Sequence, residues 1–449
     1  MKVEDISVLV IVLITKSFFT SGTYPPLLRV ETMGEMNVFE KHIRKNTLFR
    51  GNRNALYPDY LPDKLPHREK EIDKLAEILV TALRGGKPSN ILIFGKTGTG
   101  KTAVVRFIGR ELKKAEKAYG MSKIEYIYIN CETVDTPYSV MQTIGNHFIT
   151  EWNERIPFTG WPMDKVFSVT KEKIDEWGGT VIVVLDEIDK LVSKSGDDIL
   201  YQILLLDNEM SNSNLSIIGI SNELKFTDLL DPRVRSRLTQ EKMIFAPYNA
   251  FQLEDILRER VMIAVQDGVV DDVVIKTCAA IAAQEHGDAR RAIDLLRISI
   301  EMAERDGCPR VTEKHVYQAK NKIEMDCVAE AIKTLPLHSK LVLLAVAISD
   351  EAGKSELTTG ETYDIYRKLS RRVGISPLTQ RRISDLISEM DMLGLINAQV
   401  KSFGRYGRTK VIELALPVME VKRLVLEDEL LMDLENVKVA EQKKLSPFL

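Results

Sequence analysis

An apolar run that leads into a glycine-rich turn constrains this chain most. Residues 91–94 are apolar throughout, and the segment GKTGTGKT at 95–102 separates them from the helix-like run 103–108. A strand that turns through glycines into a helix predicts a cradle for polyphosphate, because backbone amides and the positive end of the helix both face the phosphates. The alternative to a phosphate-binding loop is a glycine-rich turn that binds no ligand. The predicted nucleotide contacts are Gly95, Lys96, Thr97, Gly98, Thr99, Gly100, Lys101 and Thr102.

Two side chains of this turn have separate predicted roles. Lys101 is expected to reach the β- and γ-phosphates of ATP as a point charge, and the hydroxyl group of Thr102 is expected to bind Mg²⁺. ATP and Mg²⁺ are therefore the predicted cofactors.

Charge is balanced over the whole chain but not locally. The 449 residues include 62 basic and 65 acidic side chains, for a formal net charge of −3. The length predicts roughly three domains, and the balance excludes a uniformly basic nucleic-acid-binding chain. Residues 361–410 nevertheless contain ten Lys or Arg against five Asp or Glu. This local excess predicts one anion-binding module.

The cysteines and the N-terminal segment bear on localisation. Four cysteines show no metal-ligand spacing, which favours free thiols in a reducing, cytoplasmic compartment. The apolar run at 8–14 is too short to span a bilayer, and acidic residues precede it. We expect a disordered arm or a start codon assigned too early, with Met33 and Met36 as alternative starts. A signal peptide or anchor is the remaining alternative, and no membrane partner is expected.

The pattern of apolar residues changes twice along the chain. Between about residues 90 and 245, β-rich runs alternate with helical stretches, which predicts an α/β fold with a parallel sheet and crossover helices. From 249 to about 331, apolar residues recur at helical spacing. A third module, with three helices and a hairpin, begins near residue 335. The predicted strands of the first module are residues 90–94, 125–130, 180–185, 215–221 and 242–245.

Polar residues follow two of these strands. The strand at 180–185 ends in Asp186 and Glu187, and the strand at 215–221 ends at Asn222. Open α/β sheets bind their ligands at this edge. Asp186 is predicted to hold Mg²⁺, Glu187 to act as general base on the attacking water, and Asn222 to orient that water or touch the γ-phosphate. For Asn222 a capped turn is the alternative.

Arginines further along the chain are candidate partners of the γ-phosphate. Asp231-Pro232 precedes a cluster that includes Arg233 and Arg237. In a protein that completes its site across a subunit interface, one of these arginines stabilises transition-state charge in trans; otherwise they form a solvated basic face. Asp288 is a predicted helix N-cap, which places Arg290 in the first turn, where it contacts the γ-phosphate or forms a surface ion pair.

Taken together, these segments resemble the AAA+ ATPases. The segments GKTGTGKT, VIVVLDEID, SIIGISNEL, LLDPRVRSRL and GDARRAIDLLR look like Walker A, Walker B, sensor 1, arginine-finger and sensor 2 elements, in that order. The detail resembles the archaeal origin-recognition and cell-division-cycle type replication initiators. The resemblance covers about residues 48–414. It implies that 61–69, with His67 and Arg68, enclose the adenine, and that 156–162 belong to the extra initiator-specific helices.

The resemblance leaves the arginine finger open. The pair Ser236-Arg237 resembles clamp-loader fingers, whereas the initiators more often use an arginine that matches Arg233.

The resemblance also implies how the chain divides into domains. They are an extension (1–47), an AAA+ nucleotide-binding domain (48–247), an all-helical lid (248–331), a winged-helix DNA-binding domain (332–416) and a helical tail (417–449).

The basic segment has the pattern of a winged helix. Helices are predicted at 360–374 and 376–393, with Pro377 in the first helical position of the second. In that second helix, Ile383, Leu386, Ile387, Met390 and Leu393 form an apolar stripe. The opposite face carries Arg381, Asp385 and Ser388 with Arg382 on its flank, suited to a major groove. Arg405 and Arg408, at the tip of a hairpin within 396–414, are expected in a minor groove or on phosphates. Protein docking is the alternative use of such a module.

These features predict an ATPase of slow turnover that uses ATP as a switch. We expect it to mark replication origins on double-stranded DNA, to help load the replicative helicase, and to self-associate on DNA. A clamp-loader-like ATPase and an ATP-binding transcription regulator are the alternatives.

Overall fold

The computed structural model describes residues 47–120, 122–402 and 408–434. Its strands are β1 (Ile91–Phe94), β2 (Ile124–Asn130), β3 (Gly179–Asp186), β4 (Ser213–Ser221), β5 (Glu241–Ile244), β6 (Leu357–Thr358), β7 (Ile396–Ser402) and β8 (Arg408–Leu414). Its α-helices are α1 (Glu69–Leu83), α2 (Lys101–Tyr119), α3 (Pro137–Phe148), α4 (Met163–Trp177), α5 (Ile188–Ser195), α6 (Asp198–Glu209), α7 (Pro232–Leu238), α8 (Ala250–Ala264), α9 (Asp272–Gln284), α10 (Ala289–Arg305), α11 (Glu313–Thr334), α12 (Leu337–Glu351), α13 (Thr359–Val373), α14 (Gln380–Met392) and α15 (Val418–Leu426). Short 3₁₀ turns lie at Arg53–Leu56, Trp152–Glu154, Phe226–Leu229 and Met432–Leu434.

The first five strands form one parallel sheet in the order β2-β3-β4-β1-β5. The predicted strands are confirmed, with ends that differ from the observed ones by two residues at most. Alternate residues of β3 belong to two separate cores: Val183 packs with one set of helices and Ile182 with the other. A sheet covered on both faces needs strands that are apolar throughout, which is why the runs in the sequence do not alternate.

The pairing of the strands brings the functional segments to one edge. Asp186, the last residue of β3, lies opposite Ile220 of β4, and Phe94 of β1 lies opposite Ser221. The turn after β1, the carboxylates after β3 and the amide after β4 are therefore neighbours at the carboxyl edge of the sheet, where open α/β sheets bind ligands.

Helices α8 to α11 form an all-helical module, as predicted. Leu257, Ala279 and Leu296, from three of its helices, share one buried core. Leu48 and Leu56 pack into the same core, although we assigned them to the nucleotide-binding domain. The domain boundaries therefore remain a proposal.

The C-terminal module is a winged helix, with α12, α13 and α14 around a three-stranded antiparallel sheet in the order β6-β8-β7. Two details of the prediction are wrong. Helix α14 begins at Gln380, and Pro377 lies before it, because the Thr379 side chain accepts a hydrogen bond from the backbone N–H of Arg382 and caps the helix. Leu393 caps the other end and is 54% exposed, so it lies outside the apolar stripe.

No helix in the described ranges has the length and apolar character that crossing a membrane requires.

Candidate functional site

Glycines shape the turn between β1 and α2. Gly98 and Gly100 have φ of 67° and 87°, in the left-handed region that favours glycine. A Cβ atom on Gly98 would lie 1.7 Å from Oδ1 of Asp288, and one on Gly100 would lie 2.6 Å from the hydroxyl oxygen of Tyr248. Asp288 of the lid and Tyr248, four residues after the end of β5, thus lie directly against the loop. The backbone at both positions has room for hydrogen only.

Lys101 begins α2 and is buried. Its ammonium group donates hydrogen bonds to the carbonyl oxygens of Gly95 (2.7 Å) and Lys96 (2.8 Å) and to Oδ1 of Asn222 (2.9 Å). Burial lowers the pKa of Lys101 to about 8, against the opposing effect of Asp186. A polyphosphate beside this ammonium group would favour its charged form. Lys101 and Asn222 are therefore placed to contact one anion together.

Thr102 and Asp186 form a pair of hard oxygen groups. The Thr102 hydroxyl group donates to Oδ2 of Asp186 at 2.7 Å, and the backbone N–H of Glu187 donates to Oδ1 at 3.0 Å. Because the hydroxyl group donates its proton to the carboxylate, its lone pairs remain available to a cation. Mg²⁺ prefers oxygen ligands and is often held by one carboxylate together with substrate phosphates. The pair therefore fits Mg²⁺.

Glu187 lies next to this pair in a strained backbone conformation. Its φ of 58° and ψ of 42° are left-handed, which is uncommon outside glycine. Its Oε2 atom is 2.7 Å from the ammonium nitrogen of Lys190. The side chain lines the same cavity as Lys101 and Asn222. A carboxylate in this position can act on a water molecule at the γ-phosphate.

A cavity extends from the phosphate loop to an apolar wall. Segment 58–66 supplies part of this wall. The resemblance implies 61–69, and of that segment residues 61, 62, 65 and 66 line the cavity. The sequence did not indicate the other contributors: Ile256 and Ile293 occupy ordinary apolar positions on lid helices, and the rest belong to none of the predicted motifs. Apart from segment 58–66, the lining residues outside the predicted contacts are Ala103, Arg106, Tyr248, Ile256, Glu259, Arg260, Ala289 and Ile293. An apolar slot beside a phosphate cradle suits a nucleotide base.

Arg290 reaches the cavity from the lid. Asp288 caps α10 by accepting the backbone N–H groups of Arg290 (2.7 Å) and Arg291 (3.2 Å). The Arg290 side chain is exposed and lines the cavity. Its position in the first turn is as predicted, and its contact with a γ-phosphate remains a prediction.

The structure gives His67 and Arg68 other surroundings than predicted. Among the described residues that line the cavity, neither appears. Arg68 is 4% exposed, and its Nε donates to the carbonyl oxygen of Thr99 and to the hydroxyl oxygen of Tyr248, each at 3.0 Å. The His67 ring lies 2.9 Å from Asp255 of the lid. We therefore correct the prediction that these two residues enclose the adenine. Arg68 supports the phosphate loop on the side away from the cavity, and His67 contacts the lid.

The arginines of α7 lie away from the cavity of their own chain. Arg233 and Arg237 are exposed, and neither belongs to the cavity lining within the described ranges. Arg233 is paired with Asp231 at 3.1 Å. Either arginine can therefore meet a nucleotide only if another subunit brings one, as a role in trans requires.

Replacement of Gly98 by Ala is expected to destabilise the protein by about 2 kcal/mol, since the new methyl group displaces the Asp288 cap and the left-handed backbone disfavours alanine. Chemical denaturation measures this change. Gly120, at the other end of α2, has a φ of 57°, and its Cβ would meet nothing within 4 Å in the described part of the chain. Gly120→Ala therefore carries the backbone strain alone and should cost about 1 kcal/mol. Equal losses in the two variants would contradict the close contact.

The winged helix presents a basic face. Arg381 and Arg382 are exposed in the first turn of α14, and Arg382 lies 3.6 Å from Glu389. Arg371 and Arg372, which we did not single out, are exposed in the last turn of α13. Arg405 lies outside the described residues, and of Arg408 only the backbone is described, as the start of β8.

One residue of the predicted DNA face has a different environment. Ser388 is half-buried, donates to the carbonyl oxygen of Ser384 and contacts Lys410 of β8. It joins the helix to the sheet, so we correct its assignment to the open face. Asp385 is exposed, as predicted.

Comparisons with known families match three parts of the chain. Residues 91–246 match the "ATPase family associated with various cellular activities (AAA)", residues 254–321 the "Cdc6 AAA+ ATPase-type lid domain", and residues 330–423 the "CDC6, C terminal winged helix domain". These matches coincide with the parallel sheet, the helical module and the winged helix of the structure.

Relatives match over nearly their whole length. The ORC1-type DNA replication protein of Thermococcus kodakarensis is 51% identical over 409 residues, which are 91% of this chain and 98% of that protein. The ORC1-type DNA replication protein 1 of Methanosarcina acetivorans is 49% identical, over 91% of this chain and 97% of the relative. The solved structure of the Aeropyrum pernix ORC1 protein in complex with DNA is 44% identical, with a TM-score of 0.71, over 86% of this chain and 98% of that one. With these domains in this order and identity of this extent, the chain belongs to the ORC1-type DNA replication proteins, initiators built on an AAA ATPase domain.

Proposed function

We propose that this protein binds ATP with Mg²⁺, uses the nucleotide as a switch with slow hydrolysis, and in that state marks replication origins and helps load the replicative helicase. The observation that carries the proposal is one shared cavity at the edge of the sheet. Residues of the phosphate loop, the end of β3 and the lid all line it.

Different residues of the cavity have different proposed roles in ATP binding and hydrolysis. Lys101 and Asn222 contact the terminal phosphates, and Glu187 directs a water molecule toward them. Thr102 and Asp186 hold Mg²⁺, which when bound neutralises phosphate charge. The apolar wall at Ile256 and Ile293 holds the base. Two hydrogen bonds support this assignment: Lys101 donates to Asn222, and Thr102 donates to Asp186.

A direct contact between lid and phosphate loop supports the switch. The backbone N–H of Ala289 donates to the carbonyl oxygen of Gly98 at 3.1 Å, one residue before Arg290. A ligand that contacts both Arg290 and the phosphate loop would fix the orientation of the lid relative to the sheet. ATP and ADP differ by the phosphate that this arginine is placed to touch, so they are expected to favour different lid positions.

The exposed arginines of α7 support self-association. Arg233 or Arg237 of one subunit would complete the site of the next and raise its hydrolysis rate. A subunit alone lacks this charge at its γ-phosphate, which supports slow turnover for the isolated protein.

We assign duplex DNA to the winged helix. The basic first turn of α14, with Arg381 and Arg382, supports insertion into a major groove. Arg405 and Arg408, which follow β7 in the sequence, are assigned a second contact with the minor groove or phosphates. The Aeropyrum pernix ORC1 protein, with a similar structure, was solved in complex with DNA. The marked site then recruits the helicase.

Selection of genomic DNA tests this proposal. The purified protein is mixed with fragmented genomic DNA from its source, with ATP or with ADP, and the retained fragments are sequenced. We expect ATP-dependent enrichment of repeated elements near replication start points. Enrichment of scattered promoters would support the transcription regulator instead, and preference for primer–template junctions would support the clamp-loader-like ATPase. Equal selection with ATP and ADP would contradict the switch.

A further inference from the structure

A tyrosine outside the ATPase motifs contacts the carboxylate of Asp186. The hydroxyl group of Tyr128, on β2, donates to Oδ2 of Asp186 at 2.6 Å. Tyr128 lies opposite Val184 in the parallel pairing of β2 with β3. Side chains two residues apart on a strand share a face, so Tyr128 and Asp186 lie on the same side of the sheet. The contact is therefore built into the register of the two strands.

Three donors fix the Asp186 carboxylate. Oδ2 accepts the hydroxyl groups of Thr102 and Tyr128, and Oδ1 accepts the backbone N–H of Glu187. Asp186 is only 5% exposed, so few water molecules can replace a lost donor. Hydrogen bonds to a carboxylate are short and about twice as strong as those between neutral groups. Without Tyr128, Oδ2 depends on Thr102 alone, the same group that has to face the cation.

The ring of Tyr128 is held from the cavity side. The guanidinium carbon of Arg106 lies 5.6 Å from the ring centroid, and Arg106 lines the cavity. The tyrosine is 36% exposed, so its position is not a consequence of deep burial. The hydroxyl group reaches Asp186 from an otherwise accessible side chain.

We infer that Tyr128 is a positioning residue for the divalent cation, one that orients the Asp186 carboxylate so that it and Thr102 face the metal together. This inference rests on the proposed ATP and Mg²⁺ site. Groups that orient a metal ligand typically contribute 10- to 100-fold to metal affinity. Tyr128 acts through Asp186 and does not itself touch the nucleotide.

The neighbouring tyrosine of the same strand provides a matched control. Tyr126 points to the same face, and its hydroxyl group donates to the carbonyl oxygen of Val105 at 2.8 Å. Tyr126→Phe and Tyr128→Phe each remove one hydroxyl group and one hydrogen bond from β2. They differ in whether the lost bond reaches Asp186.

The experiment measures how much Mg²⁺ strengthens binding of a non-hydrolysable ATP analogue. The dissociation constant is determined by calorimetry with EDTA and again with excess Mg²⁺, for the wild type and both variants. Electron paramagnetic resonance of Mn²⁺ then reports cation affinity of the protein–analogue complex directly. We expect Tyr128→Phe to reduce the Mg²⁺ enhancement and the Mn²⁺ affinity about tenfold, with the metal-free dissociation constant unchanged. Tyr126→Phe should match the wild type in all three values.

The remaining outcomes separate this inference from the function on which it rests. A wild type that responds to Mg²⁺ together with equal responses in both variants overturns the role of Tyr128 alone. If the Tyr128→Phe variant loses metal-free affinity as much as Mg²⁺-dependent affinity, Tyr128 has a structural role and the inference is also overturned. Thermal melting of both variants shows whether the fold itself is weakened. A wild type that binds the analogue without any response to Mg²⁺ overturns the proposed site and the inference together.

Discussion

Replacement of Lys101 by Ala is expected to weaken ATP binding at least 100-fold. The ammonium group is buried between the carbonyl oxygens of the loop and Asn222, so its charge acts on the phosphates with little screening by water. A charge-assisted hydrogen bond contributes about 1.5–3 kcal/mol, and the ammonium group is expected to donate more than one to the phosphate oxygens. Calorimetric titration with ATP and Mg²⁺ measures the loss.

A lysine of the same helix serves as the control for this result. Lys117 is exposed in the last turn of α2, away from the cavity, and Lys117→Ala should bind ATP like the wild type. A melting temperature near that of the wild type would show that Lys101→Ala is folded. If this folded variant binds ATP normally, the assignment of the phosphate site is wrong.

The sheet and the phosphate loop could be predicted from the sequence because both depend on local patterns. Strands covered on two faces need continuous apolar runs, and β3 is such a run. The loop needs glycine where its backbone turns left-handed, as at Gly98 and Gly100. Such requirements hold whatever the rest of the chain does.

The lid side of the apolar wall could not be predicted because distant segments create it. Ile256 and Ile293 occupy ordinary apolar positions on lid helices, and only the packing of the lid turns them toward the phosphate loop. The same holds for Arg68. In sequence it is a basic residue in a nucleotide-binding segment, yet the fold directs its guanidinium group to a carbonyl oxygen of the loop.

The ends of α14 show competition between local signals. Pro377 suits the first turn of a helix, but Thr379 offers a side-chain acceptor that satisfies a free N–H group, and the helix starts there. Leu393 continues the apolar spacing of the stripe but falls at the C-cap, where the chain leaves the core. Periodicity predicts which residues share a face but not where the helix ends.

Replacement of both Arg381 and Arg382 by Ala is expected to weaken binding to origin duplex about 100-fold. The two side chains are exposed in the first turn of α14, which we propose as the recognition helix, and the first turn of such a helix contacts bases in the major groove. Each good base contact contributes about 1–3 kcal/mol, and the loss of each phosphate contact lowers the slope of the salt dependence by about one unit. Fluorescence anisotropy at several salt concentrations, with specific and with scrambled duplex, separates the two contributions.

Arg423 provides the matched control on the same module. It is exposed on α15 and paired with Glu420 at 3.0 Å, so Arg423→Ala removes one surface arginine outside α14. This variant should bind both duplexes within about twofold of the wild type, because Arg423 lies outside α14. It should also stay folded, since a surface ion pair contributes at most about 1 kcal/mol to stability. If the double variant loses affinity equally for specific and scrambled duplex, the arginines contact phosphate only and sequence is read elsewhere. If it binds the specific duplex like the wild type, α14 is not the recognition helix.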